Sequence, residues 1–139
     1  MDRLHGVITD YTCVLCNLQA ETHDHLFFAC KYTGSVWGAV CNKTHVYWPS
    51  IPWQPLLQWA AVHYNKKSNL DHMIARLLLS TTVYFLWHER NNRIFSNAAQ
   101  QYQVTAERIF QHIRTHISTM DNIGVIPSQT LTTWNLQEN

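Results

Sequence analysis

Apolar residues recur at three- and four-residue intervals along most of the chain, and the longest such run sets the architecture. From about 69 to 96, Leu70, Met73/Ile74, Leu77/Leu78, Thr81, Tyr84/Phe85 and His88 share one helical face. Asn69 stands where an N-cap belongs. Between 77 and 87 the pattern is apolar nearly all round, which predicts a helix central to a bundle. Its last two turns are polar: His88, Glu89, Arg90, Asn91, Asn92 and Arg93. A second helix is predicted over about 100–121, with Ala106, Ile109/Phe110, Ile113, Ile117 and Met120 on one face and Gly124 and Pro127 as stop signals. Leu78 and Phe85 are expected to pack against its Phe110 and Ile113. Shorter patterns predict helices over 33–40, where Val36, Trp37 and Val40 align, and over 55–66, with Pro55 in the first turn. A proline-punctuated connection, 48–55, lies between them. Residues 124–139 read as a weakly ordered tail in which Trp134 is the residue most suited to dock.

The first thirty residues lack this periodicity and carry different chemistry. Cys13, Cys16, His25 and Cys30 form a C-x2-C-x8-H-x4-C array. A C-x2-C turn supplies two thiolates from one knuckle, and three thiolates with one imidazole complete the tetrahedron that structural zinc prefers. Asp24 is suited to cap a short helix beginning at His25, with Cys30 about 7.5 Å further along its axis. His23 would lie about 10.5 Å from Cys30, so His25 is the better fourth ligand and His23 the alternative. Trp37 is expected to pack beside the knuckle and Cys41 to be a small buried side chain outside the ligand set. The fold class is therefore all-α, an N-terminal Cys3His zinc knuckle packed on a small bundle of about four helices. It divides into 1–45 (knuckle and first helix), 46–123 (bundle) and 124–139 (tail).

Composition narrows the rest. A 46% hydrophobic content in 139 residues suffices for a core. No run approaches the length of a membrane span, and the chain's opening residues lack an apolar signal region. The expected setting is intracellular, nucleus or cytoplasm and not secreted, where cysteines favour metal over disulfides. The formal charge is +1, and three thiolates with a zinc dication bring the loaded chain to near neutrality. Affinity for phosphates would then depend on local Lys and Arg. Carboxylates are scattered singly rather than clustered for paired Mg²⁺, so polymerase and RNase H chemistry are not expected here. His88-Glu89-Arg90-Asn91-Asn92 lacks a second metal ligand and reads as a charged helix end. The chain is not expected to be an enzyme.

C-x-L-C, then E-T-x-x-H-L-F-x-x-C and Trp37, resembles the reverse-transcriptase zinc-binding domain found in polyproteins of plant LINE-type (non-LTR) retrotransposons and in genes derived from them. Asp2-Arg3-Leu4 and Gly6-Val7-Ile8 resemble its approach to the first cysteine. Leu86-Trp87-His88-Glu89-Arg90-Asn91-Asn92-Arg93-Ile94-Phe95 resembles its I-W-x-E-R-N-x-R-x-F segment. The family normally has more sequence before Asp-Arg-Leu, so the resemblance implies a piece truncated at its N-terminus. It implies one structural Zn²⁺ and a non-catalytic accessory module that grips RNA or single-stranded DNA weakly. Arg3, Phe28, Lys31, Tyr32, Lys43, Arg90 and Arg93 are the candidate nucleic-acid contacts. The alternative is a protein-interaction or architectural module, docking the parent reverse transcriptase or a host protein, in which zinc only stabilises the fold. Clustered surface cations with exposed aromatics would favour the first, and an apolar groove along the helices the second.

Overall fold

Cys30 closes the metal-binding knuckle and opens the first long helix. Its backbone is extended (φ −72°, ψ 135°), the geometry of an N-cap, so α1 begins at the next residue and covers Lys31–Thr44. The protein's structure, a computed structural model, describes residues 11–23, 25–120 and 126–136, the side chain of Phe28 excepted. Helix α1 is longer than the 33–40 expected, because three aligned apolar residues marked only its middle. It stops where His45 turns left-handed (φ 59°) and its N–H returns to the Cys41 carbonyl.

Among the described residues four further helices follow: α2 (Trp53–His63), α3 (Leu70–Phe95), α4 (Tyr102–Ser118) and α5 (Ser128–Trp134). Pro55 lies in the first turn of α2, where its missing N–H breaks no intrahelical bond. Asn69 caps α3, its side chain accepting from the His72 N–H at 3.0 Å. Asn97, left-handed at φ 52°, turns the chain away after α3 and towards α4. Among the described residues there is no strand, and a single antiparallel bridge joins Thr12 to Ala20.

Helix α4 packs against both α1 and α3. The core between them holds Val36 and Val40 from α1, Ile74, Ala75, Leu78 and Leu86 from α3, and Ile109, Phe110, Ile113 and Ile117 from α4. Leu78 is fully buried as expected, whereas Phe85 is half-buried and meets α4 edge-on at His112, with ring centroids 5.6 Å apart. Trp37, expected beside the knuckle, sets its ring against Trp48 at 5.6 Å, on the aromatic cluster that Trp59 and Tyr64 complete.

The expected weak tail needs correcting. Residues 128–134 form α5, and Trp134 is buried in a stack on Phe110, 4.7 Å between centroids and 8° between planes. Arg114 fixes the end of this helix by donating to the carbonyls of Trp134 (3.0 Å) and Asn135 (2.8 Å). Gly124, the expected stop signal, lies outside the described residues. No helix of the described residues is long and apolar enough to cross a membrane.

Candidate metal centre

Two local structures converge on one point. The first is a tight loop closed by the Thr12–Ala20 bridge, with Cys13 N–H donating to Gln19 O (2.8 Å) and Glu21 N–H to Tyr11 O (2.9 Å). At its tip Asn17 N–H donates to Cys13 O (2.8 Å) while Asn17 sits in the left-handed region at φ 58°. Asparagine tolerates that conformation better than most residues. The loop thereby presents Cys13 and Cys16 together.

The second is a single π-helical turn over His25–Ala29, in which Cys30 N–H donates to His25 O at 2.6 Å. An i→i+5 turn is wider than an α turn, so residues five apart return to the same side. That solves the reach that a straight helix would have denied His25 and Cys30. Thr22 Oγ1 accepts from the His25 N–H (3.0 Å), and Thr33 Oγ1 donates to the Leu26 carbonyl. The cap expected from Asp24 falls outside the described residues.

The ligand atoms of Cys13, Cys16, His25 and Cys30 all lie within 4.8 Å of one another. Cys13 Sγ is 3.8 Å from Cys30 Sγ, and Cys16 Sγ is 3.2 Å from His25 Nε2. Metal–sulfur bonds of about 2.3 Å in a tetrahedron give a sulfur–sulfur edge of about 3.8 Å. His23 is exposed beside Phe27 and stands outside the cluster, so the structure brings in His25 and not its neighbour. Without a metal the cluster is uncomfortable. The hydrogen bond to Cys30, then burial, drives the Cys13 thiol far up, while the same bond lowers Cys30 to about 5. His25 Nδ1 is buried with no partner among the described residues. A dication that takes the sulfurs as thiolates removes the competition for one proton. With four protein ligands no position remains for a reacting water, which marks the donor set as structural.

What holds this centre against the bundle is the polar end of α3. Arg90 forks onto Glu21, Nε to Oε1 at 3.2 Å and Nη2 to Oε2 at 3.3 Å, with both side chains 3% exposed. Its guanidinium also lies over the Trp87 ring, 4.8 Å from the centroid. Arg93 reaches the knuckle itself, donating from Nη1 to Leu15 O (3.1 Å), between the first two cysteines. It is aligned by Glu89 (Nε to Oε2, 2.7 Å), donates to Gln100 O (2.9 Å), and covers the Tyr32 ring at 4.4 Å. Glu89 in turn accepts from Gln100 N–H at 2.8 Å. The knuckle is thus tied to the end of α3 and the entry to α4, segments about seventy residues further along the chain.

This changes the standing of the candidate nucleic-acid contacts. Arg90 and Arg93 spend their donors inside the protein. Tyr32 lies under Arg93, and its hydroxyl meets Gln100 O (2.9 Å) and Thr105 Oγ1 (2.8 Å), so it is no open stacking platform. Burial raises the pKa of that hydroxyl. Lys43 is half-exposed but pairs with Glu107 at 2.5 Å and lies 4.1 Å from the Phe110 ring centroid. Lys31 is exposed. Arg3 and the Phe28 side chain lie outside the described residues. Glu21, Glu89 and Thr22 are the functional residues that sequence reasoning missed; the spacing of Glu89 and Arg93 at i,i+4 was the available signal.

Residues 2–37 match a protein-family model described as zinc-binding in reverse transcriptase. The matched span contains all four ligands and ends at Trp37, before the arginines of α3. No curated protein and no solved structure matches the chain. Donor chemistry, geometry and the family match agree on a site for one zinc ion held by Cys13, Cys16, His25 and Cys30.

Proposed function

We propose that this chain is a non-catalytic accessory module of a reverse transcriptase, or of a protein derived from one, in which a single structural zinc fixes the knuckle to a helical bundle. The observation that carries the reading is the closed four-ligand cluster inside the span similar to the zinc-binding region of reverse transcriptases. The same closure supports a non-catalytic role, as do Glu21, Glu89 and Glu107, each paired with an arginine or lysine.

A grip on single-stranded RNA or DNA belongs to this reading as a weak one. With Arg90 and Arg93 engaged internally, the described candidate contacts left for phosphate are Lys31, at the start of α1, and Lys43, near its other end, when released from Glu107. One or two such contacts give a log–log salt slope of about −0.7 to −1.4 on single strands. Binding is then on the order of 10 μM or weaker at physiological salt. Tethering to a polymerase that already holds the strand would make so weak a contact useful through effective concentration. Fluorescence anisotropy of the zinc-loaded chain with labelled oligo(U) and oligo(dT) across a salt series tests this. Nanomolar, sequence-selective binding by the chain alone would overturn the weak-module reading.

A further inference from the structure

Helix α2 has an unusual surface. Its sequence, Trp-Gln-Pro-Leu-Leu-Gln-Trp-Ala-Ala-Val-His, holds no Asp, Glu, Lys or Arg, yet only Leu56 and Ala60 are buried. Leu57 is 37% exposed and Val62 69%. Between α2 and α3 runs a groove of about 700 Å³, its apolar walls made by Leu57, Ala60 and Ala61 on one side and Leu79 and Val83 on the other. Trp48 also lines it. That indole is 9% exposed, and its Nε1–H is buried with no acceptor among the described residues. The charged residues lining the groove are Lys67 and Arg76, and no carboxylate lines it.

We propose that this groove docks an amphipathic helix of a partner protein, with leucine-like side chains on one face and carboxylates along its flank. Two helices with an apolar trough between them are the standard receptor for such a segment. The cationic side chains at the groove, Lys67 and Arg76, select acidic flanks. Nucleic acid fits the groove less well. Base stacking needs open ring faces, but Trp48 is already packed among Trp37, Trp59 and Tyr64, and Trp53 lies against Phe27 at 5.2 Å. Tyr64, which also lines the groove, is likewise engaged edge-on with Trp48. This surface uses none of the four ligands and none of the candidate phosphate contacts, and does not depend on whether the knuckle face touches RNA or DNA.

The test uses the zinc-loaded chain and three probes: a 16-residue amphipathic peptide with Leu on one face and Glu on its flanks, the same peptide with Lys for Glu, and oligo(U). Binding is read by isotope-edited NMR of the indole N–H signals and by anisotropy. The expected result is that the acidic peptide shifts the Trp48 and Trp53 signals, and that the Lys peptide binds at least about tenfold more weakly. Leu57→Ser, on an exposed position that should not disturb folding, should weaken the acidic peptide by about tenfold, and Lys67→Glu by several-fold. The proposal is overturned if neither peptide moves those signals, if both peptides bind alike, or if Leu57→Ser has no effect. It is also overturned if oligo(U) shifts the same indoles, or if the chain self-associates through this face and Leu57→Ser makes it monomeric. Loss of oligo(U) binding elsewhere on the chain would bear on the knuckle reading and leave this one standing.

Discussion

From Tyr11 to Cys30 the chain buries Leu15, Leu26 and Phe27 beside its ligands, whereas α1, α3 and α4 share a core that runs from Val36 and Leu78 to Ile113 and Ile117. The first region is a short stretch closed by one bridge and a single π turn, too small to hold itself by apolar burial. The second has three long helices with continuous apolar faces. Order in the knuckle is therefore expected to depend on metal, while order in the bundle comes from packing. Between them, beside the apolar contact of Phe27 with Trp53, lie the arginines of α3: Arg90 on Glu21, and Arg93 on the Leu15 carbonyl. Such a junction is specific but strict, because removing one partner leaves a buried charge alone.

Removing zinc should produce the largest effect and sharpen the contrast most. Apparent binding energies of structural zinc sites are about 10–16 kcal/mol, as large as a domain's whole stability of roughly 5–15. Chelation should erase the dispersed NMR signals of residues 11–30 while most of the helical circular dichroism persists. A single cooperative loss of all helices would show that knuckle and bundle are one unit. Next comes the junction. Arg90→Met should cost about 3–5 kcal/mol by leaving Glu21 buried and unpaired, and adding Glu21→Leu should restore most of it. Denaturant titration of both variants decides this, and a strictly additive double variant would argue against a coupled pair.

Within the bundle, Leu78→Ala should cost about 2–5 kcal/mol, as a fully buried leucine does. Phe85→Ala should cost only about 1–2, less than the 3–5 of a fully enclosed ring, because Phe85 meets α4 at its rim. Equal losses at the two positions would place Phe85 deeper than described. The smallest effect concerns Cys41, whose thiol burial pushes up to about 12. A free cysteine titrates near 8.5. The folded state thus holds its proton more tightly, and Cys41 favours folding fully below about 8.5 and progressively less as pH rises towards 12. In the zinc-loaded chain at pH 8, iodoacetamide should leave Cys41 unmodified, and after chelation it should label Cys13, Cys16 and Cys30 first. Early labelling of Cys41 in the loaded protein would mean that its half-buried thiol ionises more readily than its surroundings imply.

The four ligands could be read from sequence because metal chemistry imposes both residue type and spacing, and the Asn69 cap and the face of α3 because periodicity and capping are local. The role of Arg90 could not. A charged helix end looks the same whether it meets solvent or protein, and the partner Glu21 lies 69 residues away. The π turn was equally hidden: nothing in His-Leu-Phe-Phe-Ala distinguishes it from an α turn except the need to bring Cys30 back to His25. Helix α5 spans seven residues, too few for a periodic pattern, and its place depends on the Phe110 face that Trp134 covers. Sequence thus showed the chemistry of the knuckle and the long helices, while the contacts joining them emerged only from tertiary structure.

The central claim is that one zinc is held by Cys13, Cys16, His25 and Cys30 and that His23 is no part of it. Native mass spectrometry with elemental analysis, applied to the chain and to His25→Ala and His23→Ala, tests it directly. The account predicts one zinc per chain in the parent and in His23→Ala, and loss or strong weakening of zinc in His25→Ala. A metal-free parent, or equal retention in the two variants, would contradict it.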